Sequence, residues 1–294
     1  MRPTSPAADP SVPARVLRSA RPSGTRVAVG PVEIGGPGFV VAAGPCAVES
    51  AAQTEAAAEV VAAAGAHLLR GGVFKPRTSP YAFQGLGEAG LSILGRSGAR
   101  HGLPVVAEIL EPSQLPSMIE RVDLLQVGAR NMQNFPLLRA LGKVRRPVLL
   151  KRGFAATVDE WLLAAEYVLD GGNTQVILCE RGIRTFETAT RNTLDLASVA
   201  LVKQRSHLPV LVDPSHATGL RELVIPMALA AAAAGADGLL VEVHTRPDEA
   251  LCDGRQALTP ELFSELMERL PAVLQAVGRP LHHRLSPAVR AVSP

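Results

Sequence analysis

The segment PVLVDPSH, residues Pro209 to His216, shows the pattern on which this chain is built. It reads as a short buried strand that stops abruptly at ligand-capable polar side chains, including Asp213 and His216. A parallel β/α barrel places its active site where the strands end, at its C-terminal face. The pattern therefore predicts a site assembled from several strand ends. It recurs in VVAAGPC (40–46), PVLLKR (147–152) and LLVEVH (239–244).

The composition argues against several classes of protein. The 294 residues suffice for one large barrel or two ordinary domains, and 47% of them are apolar while only 3% are aromatic. The formal net charge of +3 is small and the basic residues are scattered, which argues against a nucleic-acid surface but leaves open a local site for a small anion. No apolar run is long and charge-free enough to cross a bilayer, so we expect no membrane association.

The cysteines indicate the compartment. There are three, Cys46, Cys179 and Cys252, and no two of them have CxxC spacing. An odd number without such spacing argues against a disulfide framework and favours a reducing compartment, the cytoplasm.

From Phe39 onward, short apolar runs alternate with helical patterns. This alternation indicates βαβ units and a parallel sheet, and eight such units predict a closed (β/α)8 TIM barrel. An open doubly wound sheet is the alternative, although no GxGxxG follows the first strand. The predicted strands are Phe39–Ala43, His67–Arg70, Pro104–Ala107, Leu124–Val127, Val148–Lys151, Gln175–Leu178, Val210–Val212 and Gly238–Val243. The predicted helices span 51–64, 88–101, 112–120, 134–141, 157–169, 188–204, 219–234 and 259–271.

We expect one catalytic domain, residues 26–277, between two loose ends. Residues 1–25 are rich in Pro, Ser, Ala and Arg and are expected to be a disordered tail, with a transit peptide as the alternative. The pattern from Arg26 to Ile34 predicts a short hairpin that caps the bottom of the barrel. Residues 278–294 are again rich in Pro and Arg and are expected to form a loose C-terminal tail.

Four potential metal ligands follow predicted strands one, seven and eight, which are neighbours in a closed barrel. One sulfur, one nitrogen and two oxygen donors suit a single divalent ion such as Mn, Fe, Co or Zn. The alternative is a small buried Cys, a hydrogen-bonded His and two surface acids, and for any one residue alone that explanation is the better one. The four residues are Cys46, His216, Glu242 and Asp253.

A second set of residues at strand ends is cationic. Solvated loop charges explain a single Arg or Lys, but guanidinium and ammonium groups gathered on one face are what a phosphate or carboxylate ligand requires. Glycines beside them would let backbone N–H groups approach an anion. The cations are Arg70, Lys75, Arg77, Arg130, Lys151, Arg152 and Arg181, and the glycines are Gly71, Gly72 and Gly128.

Long motifs in this chain resemble those of 3-deoxy-D-arabino-heptulosonate 7-phosphate (DAHP) synthases, in particular the shorter microbial class Iβ barrel. The resemblance covers roughly residues 27–272 in order, and motifs of this length are far more specific than a lone glycine pattern. The motifs are GPCAVES (44–50), LRGGVFKPRTSPYAFQG (69–85), QVGARNMQNFPLL (126–138), LLKRG (149–153), CERG (179–182) and DPSHATG (213–219).

The resemblance implies a metal-dependent transferase that condenses phosphoenolpyruvate with erythrose 4-phosphate, the first step of the shikimate pathway to aromatic compounds. It implies Cys46, His216, Glu242 and Asp253 as metal ligands. It implies a phosphoenolpyruvate site formed by Arg70, Lys75, Arg130, Lys151 and Arg181, with the backbone around Gly128 and Ala129. Arg77 and Thr78 would hold the sugar phosphate, and Glu108 would lie near the attacking water. Lys75, Glu108 and His216 are then the catalytic groups, and the family usually forms homodimers or homotetramers.

Alternatives to this function remain open. A sister family makes 3-deoxy-octulosonate 8-phosphate from a five-carbon sugar phosphate, although KPRT (75–78) favours erythrose 4-phosphate. A Schiff-base aldolase would use Lys151 as its nucleophile, and a catalytically silent barrel would act only as a binding partner. Relatives often carry a regulatory module, and the short segment 1–25 predicts an enzyme without built-in feedback inhibition by aromatic amino acids.

Overall fold

Eight parallel strands close into a barrel, in a computed structural model that describes residues 13–77 and 79–282. The strands follow one another around the barrel in chain order, and the last pairs with the first, so the predicted TIM barrel is confirmed. Three of the predicted strands are identical to the observed ones, and the other five differ from them by two residues at most at either end. The barrel strands are β3 (Val40–Gly44), β4 (Leu68–Arg70), β5 (Val105–Ile109), β6 (Leu124–Val127), β7 (Val148–Lys151), β8 (Val176–Glu180), β9 (Val210–Val212) and β10 (Gly238–Glu242).

A two-stranded antiparallel hairpin closes the bottom of the barrel, as the sequence predicted. Its strands, β1 (Val27–Val29) and β2 (Val32–Ile34), bury their apolar side chains in one cluster with interior residues of the barrel strands. Gly30 lies against Pro104 and Gly35 against Pro209, two prolines that immediately precede barrel strands. The hairpin therefore fills the N-terminal mouth, which leaves the C-terminal face for the site.

Helices pack around the outside of the barrel, and several begin at the caps that the sequence provides. The side chains of Ser50, Thr157 and Thr259 each accept a hydrogen bond from a backbone N–H three residues later. The helices are α1 (Ala51–Ala63), α2 (Gly87–His101), α3 (Leu115–Arg121), α4 (Phe135–Gly142), α5 (Val158–Asp170), α6 (Leu196–Arg205), α7 (Pro214–Thr218), α8 (Arg221–Ala233) and α9 (Pro260–Ala276).

The predicted helix 188–204 is wrong in its first half. Helix α6 begins only at Leu196, because Asp195 caps it by accepting from the N–H of Ser198. The preceding residues form a loop in which Ile183 and Thr193 pair through their backbones. This loop reaches over the C-terminal face and brings Arg191 to the site.

The described parts of both ends lie against the barrel, which differs from the loose tails expected for them. Val16 is fully buried, and its N–H and those of the two preceding residues donate to the carboxylate of Glu166. At the other end, Arg279 pairs with Asp237 and Leu281 forms a backbone bridge with Phe39. Residues 1–12 and 283–294 lie outside the described residues.

Candidate active site

The four predicted metal ligands converge at the C-terminal face. One donor atom from each of Cys46, His216, Glu242 and Asp253 lies within 4.8 Å of all the others. The Nε2 atom of His216 is 3.2 Å from Oε1 of Glu242 and 3.8 Å from Oδ2 of Asp253, and the Cys46 thiol is 3.3 Å from that same Asp253 oxygen. The structure thus brings together a sulfur, a nitrogen and two oxygens from opposite ends of the sequence.

The barrel places these donors through strand pairing. Glu242 is the last residue of β10 and pairs with Gly44 at the end of β3, two residues before Cys46. His216 lies in α7, the short helix that follows β9. Asp253 belongs to the loop after β10, where it has a φ of 55°, the left-handed region that side chains rarely adopt.

Asp213 orients His216. Its Oδ2 atom accepts a hydrogen bond from Nδ1 of His216 at 2.7 Å, and its Oδ1 atom accepts from the His216 backbone N–H at 2.9 Å. With the proton on Nδ1, the lone pair of Nε2 points to Glu242 and Asp253. Burial lowers the pKa of His216, although Asp213 and Glu242 act in the opposite direction, so the ring is neutral at pH 7.

These donors fit a divalent cation. A neutral imidazole nitrogen and two carboxylates offer only lone pairs to one another, which is unfavourable in a buried place unless a positive charge lies between them. The hydrogen bond that the Cys46 thiol donates to Cys252, and then burial, raise the pKa of Cys46 well above its usual value, while Lys75 acts in the opposite direction. A cation would replace the thiol proton there, because thiolate is the form that binds metals.

A cationic cavity of about 340 Å³ opens beside the ligands, and His216 and Asp253 form part of its wall. Phe154 stands on one side with three guanidinium groups around its ring, those of Arg130, Arg181 and Arg184, at 5.4, 4.8 and 4.9 Å from the centroid. Six cationic side chains line the cavity: Lys75, Arg77, Arg130, Lys151, Arg181 and Arg191. This surface is suited to a small molecule with more than one anionic group.

Two lysines join the cavity to the metal ligands. The Lys75 ammonium donates to the carbonyl of Cys46 at 3.0 Å and to its sulfur at 3.1 Å. Burial acts against its charged form, but Cys46 and Cys252 raise its pKa, so the group stays protonated. The Lys151 ammonium donates to Oδ2 of Asp213 at 2.5 Å, the oxygen that also holds His216.

Comparison with known proteins identifies the chain. The sequence model of the DAHP synthetase I family matches residues 23–276. The chain belongs to this family. It is 51% identical over 263 residues to the phospho-2-dehydro-3-deoxyheptonate aldolase of Thermotoga maritima, which covers 90% of this chain and 78% of that protein. It is 34% identical over 267 residues to the 2-dehydro-3-deoxyphosphooctonate aldolase of Desulfatibacillum aliphaticivorans, covering 84% and 96%.

Solved structures of the family agree with the fold. The crystal structure of the Thermotoga maritima DAHP synthase has a TM-score of 0.88 at 50% identity and covers 91% of this chain and 78% of that one. A truncated form of the same enzyme has a TM-score of 0.85 at 46% identity, covering 91% and 98%. The resemblance drawn from the sequence motifs is therefore confirmed.

Arg77, which the family resemblance assigned to the sugar phosphate, and the backbone segment that it assigned to phosphoenolpyruvate both lie at the cavity. Arg77 lines the cavity together with Pro76 and Ser79. Thr78 lies outside the described residues. Gly128 and Ala129 also line the cavity, followed by Arg130.

Glu108 also lines the cavity, where it accepts a hydrogen bond from Gln126 at 3.2 Å. A Cβ atom at Gly128 would lie 1.9 Å from the Glu108 carboxylate. The glycine is therefore required for the close approach of the backbone to this side chain, and not for its dihedral angles.

Arg70 and Arg152 are cations that the cavity does not use directly. Arg70 is buried beneath it and donates to the carbonyl of Pro45 at 2.7 Å and to Glu242 at 3.1 Å. Arg152 points to the other side of β7, where it binds Glu180 and Asp195. Adjacent residues of a strand face opposite sides, which is why Lys151 reaches the site and Arg152 does not.

Sequence reasoning missed three residues near the site. Phe154 follows LLKRG directly, so its position after a strand was a usable signal. Arg191 was hidden in the predicted helix 188–204, and Gln256 carries no charge and no family motif drew attention to it. Two further polar residues flank β10. His244 follows the strand and lies 3.6 Å from Glu49, whereas Asp237 precedes it and binds Lys203 and Arg279 at the bottom of the barrel.

No helix within the described part of the chain is long and apolar enough to cross a membrane.

Proposed function

We propose that this chain condenses phosphoenolpyruvate with erythrose 4-phosphate and water to give DAHP and inorganic phosphate, with one divalent ion bound by Cys46, His216, Glu242 and Asp253. The observation that carries the proposal is that two of the four ligands, His216 and Asp253, line the same cavity as six cationic side chains. Family membership and the relative from Thermotoga maritima support the choice of reaction.

The cationic side chains bind and orient the anionic substrate. Arg130, Lys151 and Arg181 line the cavity, and their charges suit the phosphate and carboxylate of phosphoenolpyruvate. Arg77 lies on the loop after β4 and is available to the phosphate of the sugar. Both substrates are then held with the enol C3 facing the aldehyde carbon, and this positioning supplies much of the acceleration.

The bonds change as follows. C3 of phosphoenolpyruvate forms a bond to the aldehyde carbon, water adds to C2, and the resulting phosphohemiketal releases phosphate by C–O cleavage. The bound cation would act as a Lewis acid toward the aldehyde oxygen. Lys75 presents a charged N–H group beside it, where negative charge develops. Glu108 lies in the cavity wall, where it orients the attacking water.

Lys151 is better suited to anion binding than to Schiff-base formation. Its ammonium already donates to the buried carboxylate of Asp213, so the nitrogen is held in an ion pair. A Schiff base requires the neutral amine as nucleophile. Borohydride reduction in the presence of substrate should therefore leave the protein unlabelled.

The test is to strip the protein of metal, reload it separately with Mn²⁺, Fe²⁺, Co²⁺ or Zn²⁺, and add phosphoenolpyruvate with four- or five-carbon sugar phosphates. We expect phosphate release and a seven-carbon product only with metal and erythrose 4-phosphate. An eight-carbon product from arabinose 5-phosphate would instead assign the octulosonate reaction carried out by the relatives at about 34% identity. Full activity after thorough metal removal would refute the metal centre. A cytoplasmic location, a homodimer or homotetramer and the lack of feedback inhibition stay predictions.

A further inference from the structure

Arg191 connects the two carboxylate ligands from outside the ligand set. Its NH1 atom donates to Oε1 of Gln256 at 2.8 Å and lies 3.5 Å from Oδ1 of Asp253. Gln256 is 2% exposed, and its Nε2 atom donates to Oε2 of Glu242 at 2.5 Å. One guanidinium nitrogen therefore touches Asp253 directly and reaches Glu242 through an amide.

The hydrogen bonds from Arg191 to Gln256 and from Gln256 to Glu242 fix the orientation of the Gln256 amide. A guanidinium group donates only, so the oxygen of Gln256 must face Arg191. The NH2 group then has to face Glu242, which as a carboxylate only accepts. If Arg191 is absent, Glu242 still favours the NH2 group, but the oxygen of Gln256 loses the donor that holds the amide in place.

The loop that carries Arg191 is itself anchored on the segment of His216. The backbone N–H of Arg191 donates to the carbonyl of Thr218 at 2.9 Å, and that of Asn192 donates to Ala217 at 2.8 Å. Gly219 has a φ of 69°, and a Cβ atom there would lie 2.6 Å from Cβ of Arg191. The approach of the two loops therefore requires a glycine, and it leaves Arg191 little freedom at its backbone.

We propose that Arg191 is a positioning residue for the divalent ion, acting on Asp253 directly and on Glu242 through Gln256. The proposal rests on the proposed metal centre. Partners that orient metal ligands typically change metal affinity by about 10- to 100-fold when removed. A rival role has to be separated from this one, because Arg191 also lines the cavity and could contact the sugar phosphate.

The experiment measures Co²⁺ binding to the full-length protein without substrate, by competition with a chromophoric chelator and by the thiolate-to-cobalt absorption of Cys46. The variants are Arg191→Gln, Arg191→Lys, Gln256→Met and the double variant Arg191→Gln with Gln256→Met. Arg255→Gln is the matched control, because it removes one positive charge at an exposed side chain in the loop that carries Asp253 and Gln256. Thermal unfolding of the metal-free proteins checks that each variant is folded.

We expect Arg191→Gln and Gln256→Met each to weaken Co²⁺ binding about tenfold and to change the absorption spectrum. Relative to the parent, the double variant should lose less affinity than the product of the two single losses, because the two residues act in series. Arg191→Lys should recover part of the affinity, and Arg255→Gln should bind as the parent does.

Unchanged Co²⁺ affinity in Arg191→Gln would overturn the proposal. If that variant instead raised KM for erythrose 4-phosphate alone, the phosphate contact would be the correct role. Equal weakening in Arg255→Gln would also overturn the proposal, since the effect would then be one of loop charge. Failure of the parent protein to bind Co²⁺ would refute the metal centre itself, an outcome distinct from all of these.

Discussion

Replacing Asp213 by Asn tests the link between the cavity and the metal ligands most directly. The carboxylate accepts three hydrogen bonds, from Lys151, from Nδ1 of His216 and from the His216 backbone N–H. An asparagine has only one acceptor oxygen and one NH2 group. Either orientation of the amide therefore turns its NH2 group toward at least one of these donors, in a place where the Asp213 side chain is 1% exposed.

The size of the effect follows from burial. Removing one partner of a buried ion pair costs about 3–5 kcal/mol, because the other charge is left uncompensated. With the NH2 group toward the ring, His216 would also lose the acceptor that keeps its proton on Nδ1, which typically weakens metal binding by about 10- to 100-fold. The pKa of Asp213 is held well below its usual value, since His216 and Lys151 outweigh the effect of burial, so the carboxylate is ionised at neutral pH.

Asp237→Asn is the matched control for Asp213→Asn. Asp237 is also buried and binds two cations, Lys203 and Arg279, together with the backbone N–H of Val210, but at the bottom of the barrel. Urea unfolding of the metal-free proteins should show a comparable loss of stability for both variants. Only Asp213→Asn should lose Co²⁺ affinity, and the reasoning is refuted if the two variants lose it equally or if neither does.

Three further expectations follow from the same geometry. Gly128→Ala should displace the Glu108 carboxylate and lower kcat while leaving Co²⁺ affinity unchanged; an unaltered kcat would remove Glu108 from the mechanism. Arg77→Ala should raise KM for erythrose 4-phosphate by about 10- to 100-fold, the equivalent of one hydrogen bond to a charged group, with KM for phosphoenolpyruvate as the internal control. The pKa of Cys46 is raised and that of His216 is lowered below 6.5, so between pH 6.5 and about 8 metal binding should release one proton, from the thiol. The log of the association constant should then rise by about one per pH unit, whereas a slope near two would contradict the assignment for His216.

The architecture could be read from the sequence because each barrel unit repeats the same local signal. Short apolar runs bounded by polar turns predicted all eight strands, and the helix starts predicted at 51, 157 and 259 agree with the observed ones to within one residue. The helix 188–204 failed because its polar first half has no apolar stripe that must be buried. Its backbone is instead satisfied by a bridge between Ile183 and Thr193 and by bonds to the His216 segment.

The candidate site was predictable in its residue types and less so in their geometry. Strand ends meet at one face of a barrel, so the convergence of Cys46, His216 and Glu242 followed from the fold. The direction in which a cation at a strand end points depends on the alternation of side chains along the strand. This alternation brings Lys151 into the site and turns Arg152 away from it. The role of Asp213 as a shared acceptor could not be assigned, because its contact with Lys151 joins residues 62 positions apart.

Buried carboxylates paired with the cations explain how a chain with a net charge of +3 holds six cationic side chains around one small cavity. Like charges gathered in a buried place destabilise the charged forms unless opposite charges lie beside them. Asp213 pairs with Lys151 in the cavity wall, and Glu242 pairs with Arg70 beneath the cavity. These carboxylates also orient or supply metal ligands, so the anionic half of the site compensates the cationic half. Removing either acid would therefore leave a buried cation unpaired and a metal ligand misplaced or absent, and both halves of the site would be impaired together.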